Sequence, residues 1–215
     1  MIRLALPKGR NLTPTLAAFR TAGVPLSGLE DNGRKLWMEL PGEGLGKEGE
    51  RLEVLILKDK DLPLYVEYGI ADLGVVGSDV LEESGAELLV PLRLTEGLSR
   101  LSLIGYPGAL PEPGAQVRIA TKYPRIARRL IAERPWGAEV VELSGSIELA
   151  PMLELAEVAL DIVQTGRTLE ENGLTELETV TGVAPCVVVN RASFQRHRPE
   201  INALLQRMED AGVAA

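Results

Sequence analysis

The sequence is poor in the residue types that most often bind metals or act as nucleophiles. It has one cysteine, Cys186, and one histidine, His197. A single cysteine excludes an internal disulfide and a cysteine metal cluster. A single histidine excludes a histidine-rich zinc site and any mechanism that needs two histidines. Cys186 also lies in an apolar segment, which is typical of a buried, inert thiol.

Signatures of several other classes are missing as well. No apolar run approaches the roughly 20 residues of a membrane span, and Met1 leads straight into a predicted strand. We therefore expect a cytoplasmic protein without a signal peptide. Neither a P-loop motif nor the G-x-S-x-G motif of serine hydrolases occurs. The net charge of −8 disfavours a non-specific nucleic-acid binder, which would usually be basic.

A glycine-rich stretch, residues 44–49 (GLGKEG), formally matches the dinucleotide-binding motif G-x-G-x-x-G. That motif requires a helix after the glycines, whereas a strand is predicted at residues 51–57. We therefore interpret the stretch as a hairpin loop. An oxidoreductase with a nucleotide cofactor is disfavoured for the same reason.

What the sequence does contain is an alternation of predicted strands and helices over its 215 residues. Most of the strands are continuously apolar, which favours an α/β protein with mostly parallel sheets that are buried on both faces. Predicted crossovers near residues 88–106 and 177–183 divide the chain into two lobes. The first lobe comprises residues 1–93 and 178–215, and the second comprises residues 94–177. The carboxyl ends of the strands would line a central cleft, where α/β proteins bind ligands.

Two helix starts are predicted from capping signals. Thr13 is placed to cap the first helix, with Pro14 at its first helical position. Another helix is predicted to begin at Ser144 and to carry the apolar residues between Ile147 and Ala156.

Residues 161–169 (DIVQTGRTL) form the stretch most suited to chemistry. A predicted strand ends there, a glycine turn follows, and a short helix starts at Leu169 and stops at Gly173. Turn N–H groups, two threonine hydroxyls and the positive end of the helix dipole suit a phosphate monoester. The dipole provides only about 0.3–1 kcal/mol per charge, so hydrogen bonds of about 1.5–3 kcal/mol each must do most of the binding. Asp161 is placed to reach the hydroxyls of a sugar attached to that phosphate.

Three other strand-to-loop junctions carry polar residues suited to phosphates. They are Lys8-Gly9-Arg10, Gly77-Ser78-Asp79 and Thr121-Lys122-Tyr123. One such junction alone is more often ordinary turn chemistry, but together they indicate a ligand with several phosphates or two phosphorylated ligands. Because a nucleophile and a protein metal cage are both missing, the pattern favours catalysis by positioning and electrostatic stabilisation. Magnesium would then arrive bound to pyrophosphate oxygens.

Two segments, residues 145–151 (GSIELAP) and 161–174 (DIVQTGRTLEENGL), together resemble the signature of the ATP phosphoribosyltransferase family. Shorter matches follow the same family along the chain at residues 4–10, 61–63, 72–77, 100–102 and 119–124. The resemblance implies the first step of histidine biosynthesis. In that step the phosphoribosyl group of phosphoribosyl pyrophosphate moves to N1 of the adenine of ATP, and pyrophosphate is released.

The resemblance also implies roles for individual residues. The 5-phosphate would be cradled by Thr165, Gly166, Arg167 and Thr168, with Asp161 on the ribose hydroxyls. The nucleotide and pyrophosphate would lie near Lys8, Gly9 and Arg10, and on cleft walls that carry Arg100, Lys122 and Tyr123. No catalytic residue is fixed by the resemblance, and Lys8 and Arg10 are the candidates.

The length of the chain leads to a further expectation about assembly. Longer family members add a C-terminal regulatory domain, whereas this chain ends at Ala215. The resemblance therefore implies the short form, a catalytic subunit that works with a regulatory subunit resembling histidyl-tRNA synthetase in a hetero-octamer. Within the signature, Glu154 occupies a position that commonly holds glycine, late in the predicted helix.

A second function class shares the predicted architecture. Two crossovers and a cleft are typical of two-lobed, type II periplasmic-binding-protein-like folds, and such a fold does not fix function. A solute-binding module without chemistry is therefore the alternative to an enzyme. Such modules are usually exported, and the sequence shows no export signal.

Overall fold

The computed structural model describes residues 1–9, 11–24, 26, 29, 35–41 and 51–214. Arg10 and the glycine-rich stretch 44–49 lie outside these residues. The chain divides into two compact units, Met1–Gly97 with Ala184–Ala215 (unit 1) and Leu98–Val183 (unit 2).

The elements follow one another as an alternation of strands and helices. The strands are β1 (Ile2–Pro7), β2 (Trp37–Pro41), β3 (Arg51–Leu57), β4 (Leu73–Gly77), β5 (Leu89–Arg93), β6 (Ser99–Gly105), β7 (Gln116–Thr121), β8 (Gly137–Glu142), β9 (Val158–Val163), β10 (Thr175–Val183) and β11 (Pro185–Val189). The helices are α1 (Leu12–Thr21), α2 (Leu62–Glu67), α3 (Ser78–Ser84), α4 (Pro124–Ala132), α5 (Leu149–Met152), α6 (Arg167–Glu171), α7 (Arg191–Arg196) and α8 (Arg198–Asp210). None of the helices within the described ranges is long and apolar enough to cross a membrane.

Unit 1 is built on a sheet with the strand order β2-β3-β1-β4-β11-β5. Its strands alternate side chains between two buried faces, so each face needs a helical cover. On one face, Phe19 of α1 and Ile201 of α8 pack in the same cluster as Leu4 of β1. On the other face, Leu62 and Val66 of α2 cover the sheet. The unit therefore has three layers, with its core on both sides of the sheet.

Unit 2 is built on a sheet with the strand order β10-β6-β9-β7-β8. One face packs against α4 through Ile126 and Leu130. The opposite face packs against Ile147, Ala150 and Leu169 from the segments around α5 and α6. This second face is the one that carries Asp161, because Ala159 and Val163 share its side of β9.

The expectation of mostly parallel sheets is wrong. Of the nine strand pairings found among the described residues, four are parallel: β1 with β3 and β4, and β7 with β8 and β9. The strands β6 and β11 are as buried as the parallel strands, yet they run antiparallel to their neighbours. A continuous apolar run reports burial on both faces and carries no information about strand direction. The sheets are therefore mixed, within an α/β chain.

Three of the predicted helix starts are also wrong. Helix α1 begins at Leu12 with Asn11 at the N-cap, so Thr13 lies inside the first turn. Helix α6 begins at Arg167 rather than Leu169, with Gly166 at the N-cap. The helix expected from Ser144 onwards is reduced to the four residues of α5. The reason for its short length lies in the backbone, since Ser146 and Glu154 on either side have φ values of +50° and +58°.

Glu154 terminates α5 in a conformation that favours glycine. It is the second residue after the helix, and the N–H of Leu155 closes the turn by donating to the carbonyl oxygen of Ala150 at 2.9 Å. Helices commonly end with a left-handed residue at this position, and glycine adopts it without the steric penalty of a Cβ. The left-handed backbone thus explains why the family signature commonly has glycine at this position. Glu154 adopts the same conformation with a Cβ and is strained.

We expect Glu154→Gly to raise the free energy of unfolding by about 1 kcal/mol, because the left-handed strain outweighs the extra unfolded-state entropy of glycine. Urea denaturation followed by circular dichroism measures the change. Glu148→Gly is the matched control, since Glu148 has φ −60° in the same segment. That control should lower the free energy of unfolding. A loss of stability in Glu154→Gly would contradict the assignment of strain.

Candidate active site

The loop between β9 and α6 has the local geometry of an anion site. Gly166 takes φ +79° at the N-cap of α6, and no other atom lies within 4 Å of the position a Cβ would occupy. The side chains of Thr165, Arg167 and Thr168 are exposed, whereas Leu169 is buried and holds the first helical turn on the core. The helix then stops as predicted, since Gly173 is left-handed and Leu174 donates to the Leu169 carbonyl oxygen at 2.9 Å.

Several hydrogen-bond donors of this loop have no protein acceptor. Within the described part of the chain, the backbone N–H groups of Thr165, Gly166 and Thr168 make no hydrogen bond. The N–H of Arg167 reaches only the Thr165 hydroxyl, at 3.5 Å. Unpaired N–H groups at a helix start, together with two threonine hydroxyls, suit a group with several negatively charged oxygens. The loop can therefore bind a phosphate.

Asp161 lies directly upstream of this loop and carries an available carboxylate oxygen. Its Oδ1 accepts from the N–H of Ile162 at 2.7 Å and lies 2.9 Å from Nζ of Lys122. Its Oδ2 accepts no hydrogen bond from any residue that the structure describes. The side chain is only 10% exposed, so a ligand hydroxyl bound to Oδ2 would be well shielded from water.

Lys122 is held against Asp161 by the end of the neighbouring strand. Thr121, the last residue of β7, is fully buried and its hydroxyl donates to the Leu160 carbonyl oxygen of β9 at 2.7 Å. The same hydroxyl oxygen accepts from the N–H of Tyr123 at 2.9 Å. The residue between them, Lys122, then projects its Nζ to 5.3 Å from the centroid of the Tyr123 ring. The Tyr123 ring itself is buried in the core.

Arg100 belongs to the same sheet and is already paired. It lies on β6 opposite Val163, the last residue of β9 before the loop. Its Nε and Nη2 donate to both carboxylate oxygens of Glu176 at 2.6–2.8 Å. These bonds are the main reason why the pKa of Glu176 falls to about 2, and they raise the pKa of Arg100.

Glu176 was missed by sequence reasoning. It lies on β10, and the strand register shifts between Glu176 and Glu178, so simple alternation along the strand does not show which face it occupies. A glutamate among threonines in a half-buried strand was the only signal. The hydroxyl of Ser102 donates to Glu176 at 2.8 Å. Ser102 belongs to the family match at residues 100–102, but the resemblance gave it no role.

The remaining predicted residues belong to unit 1. Lys8 and Gly9 follow β1 and are exposed, and Gly9 has φ +90°. Because β3, β1 and β4 are adjacent and parallel, their carboxyl ends share one edge. That edge also carries Asn11, which donates to Asp59 at 3.4 Å. It carries the buried Asp79 as well, whose Oδ1 lies 2.3 Å from where a Cβ on Gly77 would be, so a larger residue at position 77 would displace the Asp79 carboxylate.

Two further observations concern a possible nucleophile and a possible metal site. Cys186 is fully buried, and burial raises the pKa of its thiol, as an inert cysteine requires. Among the residues described, no group of three histidine, cysteine, aspartate or glutamate side chains is arranged to hold a metal ion.

Comparison with known proteins gives consistent matches over nearly the whole chain. The family model HisG, ATP phosphoribosyltransferase, matches residues 58–210. The ATP phosphoribosyltransferase of Thermus thermophilus is 43% identical over 209 residues, covering 97% of this chain and 96% of that protein. The enzyme of the same name from Geobacter metallireducens is 38% identical over 213 residues, covering 97% of each chain. The solved ATP phosphoribosyl transferase (HisG:HisZ) complex from Thermotoga maritima contains a chain with a TM-score of 0.79 and 31% identity, with 98% of both chains covered.

The matching proteins are transferases of phosphoribosyl groups, which places this chain in that class of enzyme. This chain belongs to the ATP phosphoribosyltransferase family. The family and the pentosyltransferase class predicted from the motifs around Asp161 are thereby confirmed. A loop with free N–H groups beside an acidic residue fits such a transferase.

Proposed function

We propose that this chain transfers the phosphoribosyl group of phosphoribosyl pyrophosphate to N1 of the adenine of ATP, the first step of histidine biosynthesis. The bond from ribose C1 to the pyrophosphate oxygen breaks, and a bond from C1 to N1 forms. Family membership over nearly the whole chain carries the proposal. The loop after β9 supplies the chemistry that the phosphorylated substrate needs.

We propose that the 5-phosphate binds to the loop formed by Thr165, Gly166, Arg167 and Thr168. The three unpaired N–H groups and the two hydroxyls can donate five hydrogen bonds to phosphate oxygens, and Arg167 is exposed beside them. Asp161 binds the ribose hydroxyls through Oδ2, which is free of protein donors within the described ranges. Holding both ends of the ribose phosphate fixes the orientation of C1.

Stabilisation of the leaving group is assigned to cations. The transition state carries positive charge on the ribose while negative charge develops on the departing pyrophosphate, so fixed cations favour it. Lys122 and Arg100 of unit 2 are the candidates. For unit 1, the family resemblance implies Lys8, Gly9 and Arg10 for the nucleotide and pyrophosphate, with Lys8 and Arg10 as the catalytic candidates. Magnesium enters as part of the substrate, bound by pyrophosphate oxygens, as hard cations prefer.

We propose further that the chain is a short-form catalytic subunit. It covers 96% of the length of its Thermus thermophilus relative. The Thermotoga maritima structure, described as a HisG:HisZ complex, supports assembly with a regulatory subunit resembling histidyl-tRNA synthetase, in a hetero-octamer. The discontinuous unit 1 supports a type II periplasmic-binding-protein-like architecture. We also propose that the reaction takes place in the cytoplasm, which is consistent with the biosynthetic role of the relatives.

The proposed reaction is tested by incubating the chain, alone and with the HisZ-type subunit of the same organism, with ATP, magnesium and phosphoribosyl pyrophosphate. Formation of phosphoribosyl-ATP, resolved by chromatography and mass spectrometry, is expected with the pair. Absence of product from a pair that co-purifies would contradict the proposal. Calorimetry that finds one small ligand bound and recovered unchanged would favour the solute-binding alternative.

A further inference from the structure

A row of polar side chains crosses three strands of unit 2 on one face, and we call it the Glu176 row. It consists of Glu176 on β10, Arg100 and Ser102 on β6, and Asp161 on β9. Ser102 is directly opposite Asp161 in the antiparallel pairing of β6 with β9, and opposite residues project to the same face. Arg100, two residues before Ser102, projects to that face as well. The row therefore runs from the edge strand of the sheet to the acidic residue of the proposed ribose site.

The carboxylate of Glu176 is saturated by protein donors. It accepts three hydrogen bonds from Arg100, one from the Ser102 hydroxyl at 2.8 Å and one from the Thr179 hydroxyl at 2.6 Å. A carboxylate offers about four lone-pair sites, so none remains for a ligand. At neutral pH it stays fully ionised, because its pKa lies at about 2. Glu176 can therefore act on a substrate only through the residues it holds.

Arg100 is the held residue that retains capacity for a ligand. Its bonds to Glu176 use Nε and Nη2, and Nη1 has no acceptor among the described residues. The side chain is 40% exposed, so the remaining N–H groups are accessible. The backbone of Arg100 lies opposite Val163, the residue at which β9 ends and after which the phosphate loop begins.

We propose that Glu176 is a positioning residue that fixes the guanidinium of Arg100 on the sheet face that carries Asp161, so that Nη1 binds a phosphate oxygen of phosphoribosyl pyrophosphate. This inference rests on the proposed function and adds Glu176 to the site. An arginine that is oriented before the ligand arrives loses less conformational freedom on binding. Its planar fork also gives a direction to the free N–H groups, which a lysine lacks.

The chain offers a matched control in Glu157. Its carboxylate forms a comparable pair with Arg118 at 2.6 Å, and chiefly these hydrogen bonds lower the pKa of Glu157 to about 2. Glu157 precedes the first residue of β9, at the end of the strand opposite to the phosphate loop. The two glutamates thus have the same kind of partner and the same sheet, and differ in their distance from the proposed site.

The test compares Glu176→Gln with Glu157→Gln in the full-length chain. We expect Glu176→Gln to raise the Kd of phosphoribosyl pyrophosphate about tenfold by calorimetry, and Glu157→Gln to change it less than twofold. Arg100→Lys should weaken binding to the same extent as Glu176→Gln. The double variant should be no weaker than either single one, because both changes remove one oriented contact.

The outcomes separate the inference from the proposed function. Equal effects of the two glutamine variants, or additive effects of Arg100→Lys and Glu176→Gln, would overturn the positioning role. If Glu176→Gln does not fold, wild-type affinity in a folded Arg100→Lys variant overturns it as well. Failure of the wild-type chain to bind phosphoribosyl pyrophosphate would instead refute the proposed function on which the inference rests.

Discussion

Asp161→Asn should lower kcat/KM for phosphoribosyl pyrophosphate by about 100- to 1000-fold. Two ribose hydroxyls that donate to a charged acceptor contribute at least about 1.5 kcal/mol each. Their combined loss of about 3 kcal/mol corresponds to slightly more than two factors of ten, at about 1.4 kcal/mol per factor. The amide keeps the shape of the side chain and can still accept from Ile162, but it removes the charge that faces Lys122. Steady-state kinetics of phosphoribosyl-ATP formation measures the loss.

Glu139→Gln is the control for Asp161→Asn. Glu139 is an exposed carboxylate on β8 of the same sheet, so its substitution changes the net charge equally without touching the site. It should leave kcat/KM within about twofold of the wild type, as surface substitutions usually do. An Asp161→Asn enzyme that retains at least a third of the wild-type kcat/KM would remove Asp161 from the ribose site.

The double substitution Thr165→Ala/Thr168→Ala should raise the Kd of phosphoribosyl pyrophosphate about 100-fold. Each hydroxyl donates to a charged phosphate oxygen in the proposed complex, at a minimum of about 1.5 kcal/mol per bond. Both side chains are exposed, so folding should be little affected. The affinity for ATP should stay unchanged, because the loop is assigned to the 5-phosphate alone. Calorimetry with each substrate separately measures both constants.

Thr13→Ala provides the control for the loop. Thr13 is exposed and occupies the second position of α1, as Thr168 does in α6. A general cost of removing a threonine from a first helical turn would therefore appear in both variants. If the loop variant binds phosphoribosyl pyrophosphate as the wild type does, the phosphate must bind elsewhere.

Much of the chain organisation could be predicted because its signals are local. Apolar runs bounded by glycine gave the positions of β1, β4 and β9, and Gly173 marked the end of α6. Asp161 stood out as a single acidic residue in an apolar run. Each of these features is decided by residues within a few positions of one another in the sequence.

Most of the features that were predicted wrongly or missed depend on contacts between residues distant in sequence. Strand direction in β6 and β11 depends on pairing with strands distant in sequence, β9 and β4 respectively, and apolar patterning does not report it. The pairing of Arg100 with Glu176 joins residues 76 positions apart across a strand register shift. The N-cap of α1 is an exception, because its cause is local. The chain turns at the left-handed Gly9, and the N-cap is Asn11, two residues before Thr13.

The hydroxyl of Thr121 has a consequence for binding. By joining the end of β7 to Leu160 of β9, it ties together the two strands whose next residues, Lys122 and Asp161, face each other. The conformational entropy of aligning these opposite charges is therefore lost when the chain folds. Little of this entropy therefore remains to be lost when an activated ribose binds. The carboxyl ends of β7 and β9 should keep a constant distance between the groups that bind the sugar hydroxyls and those that bind the phosphate.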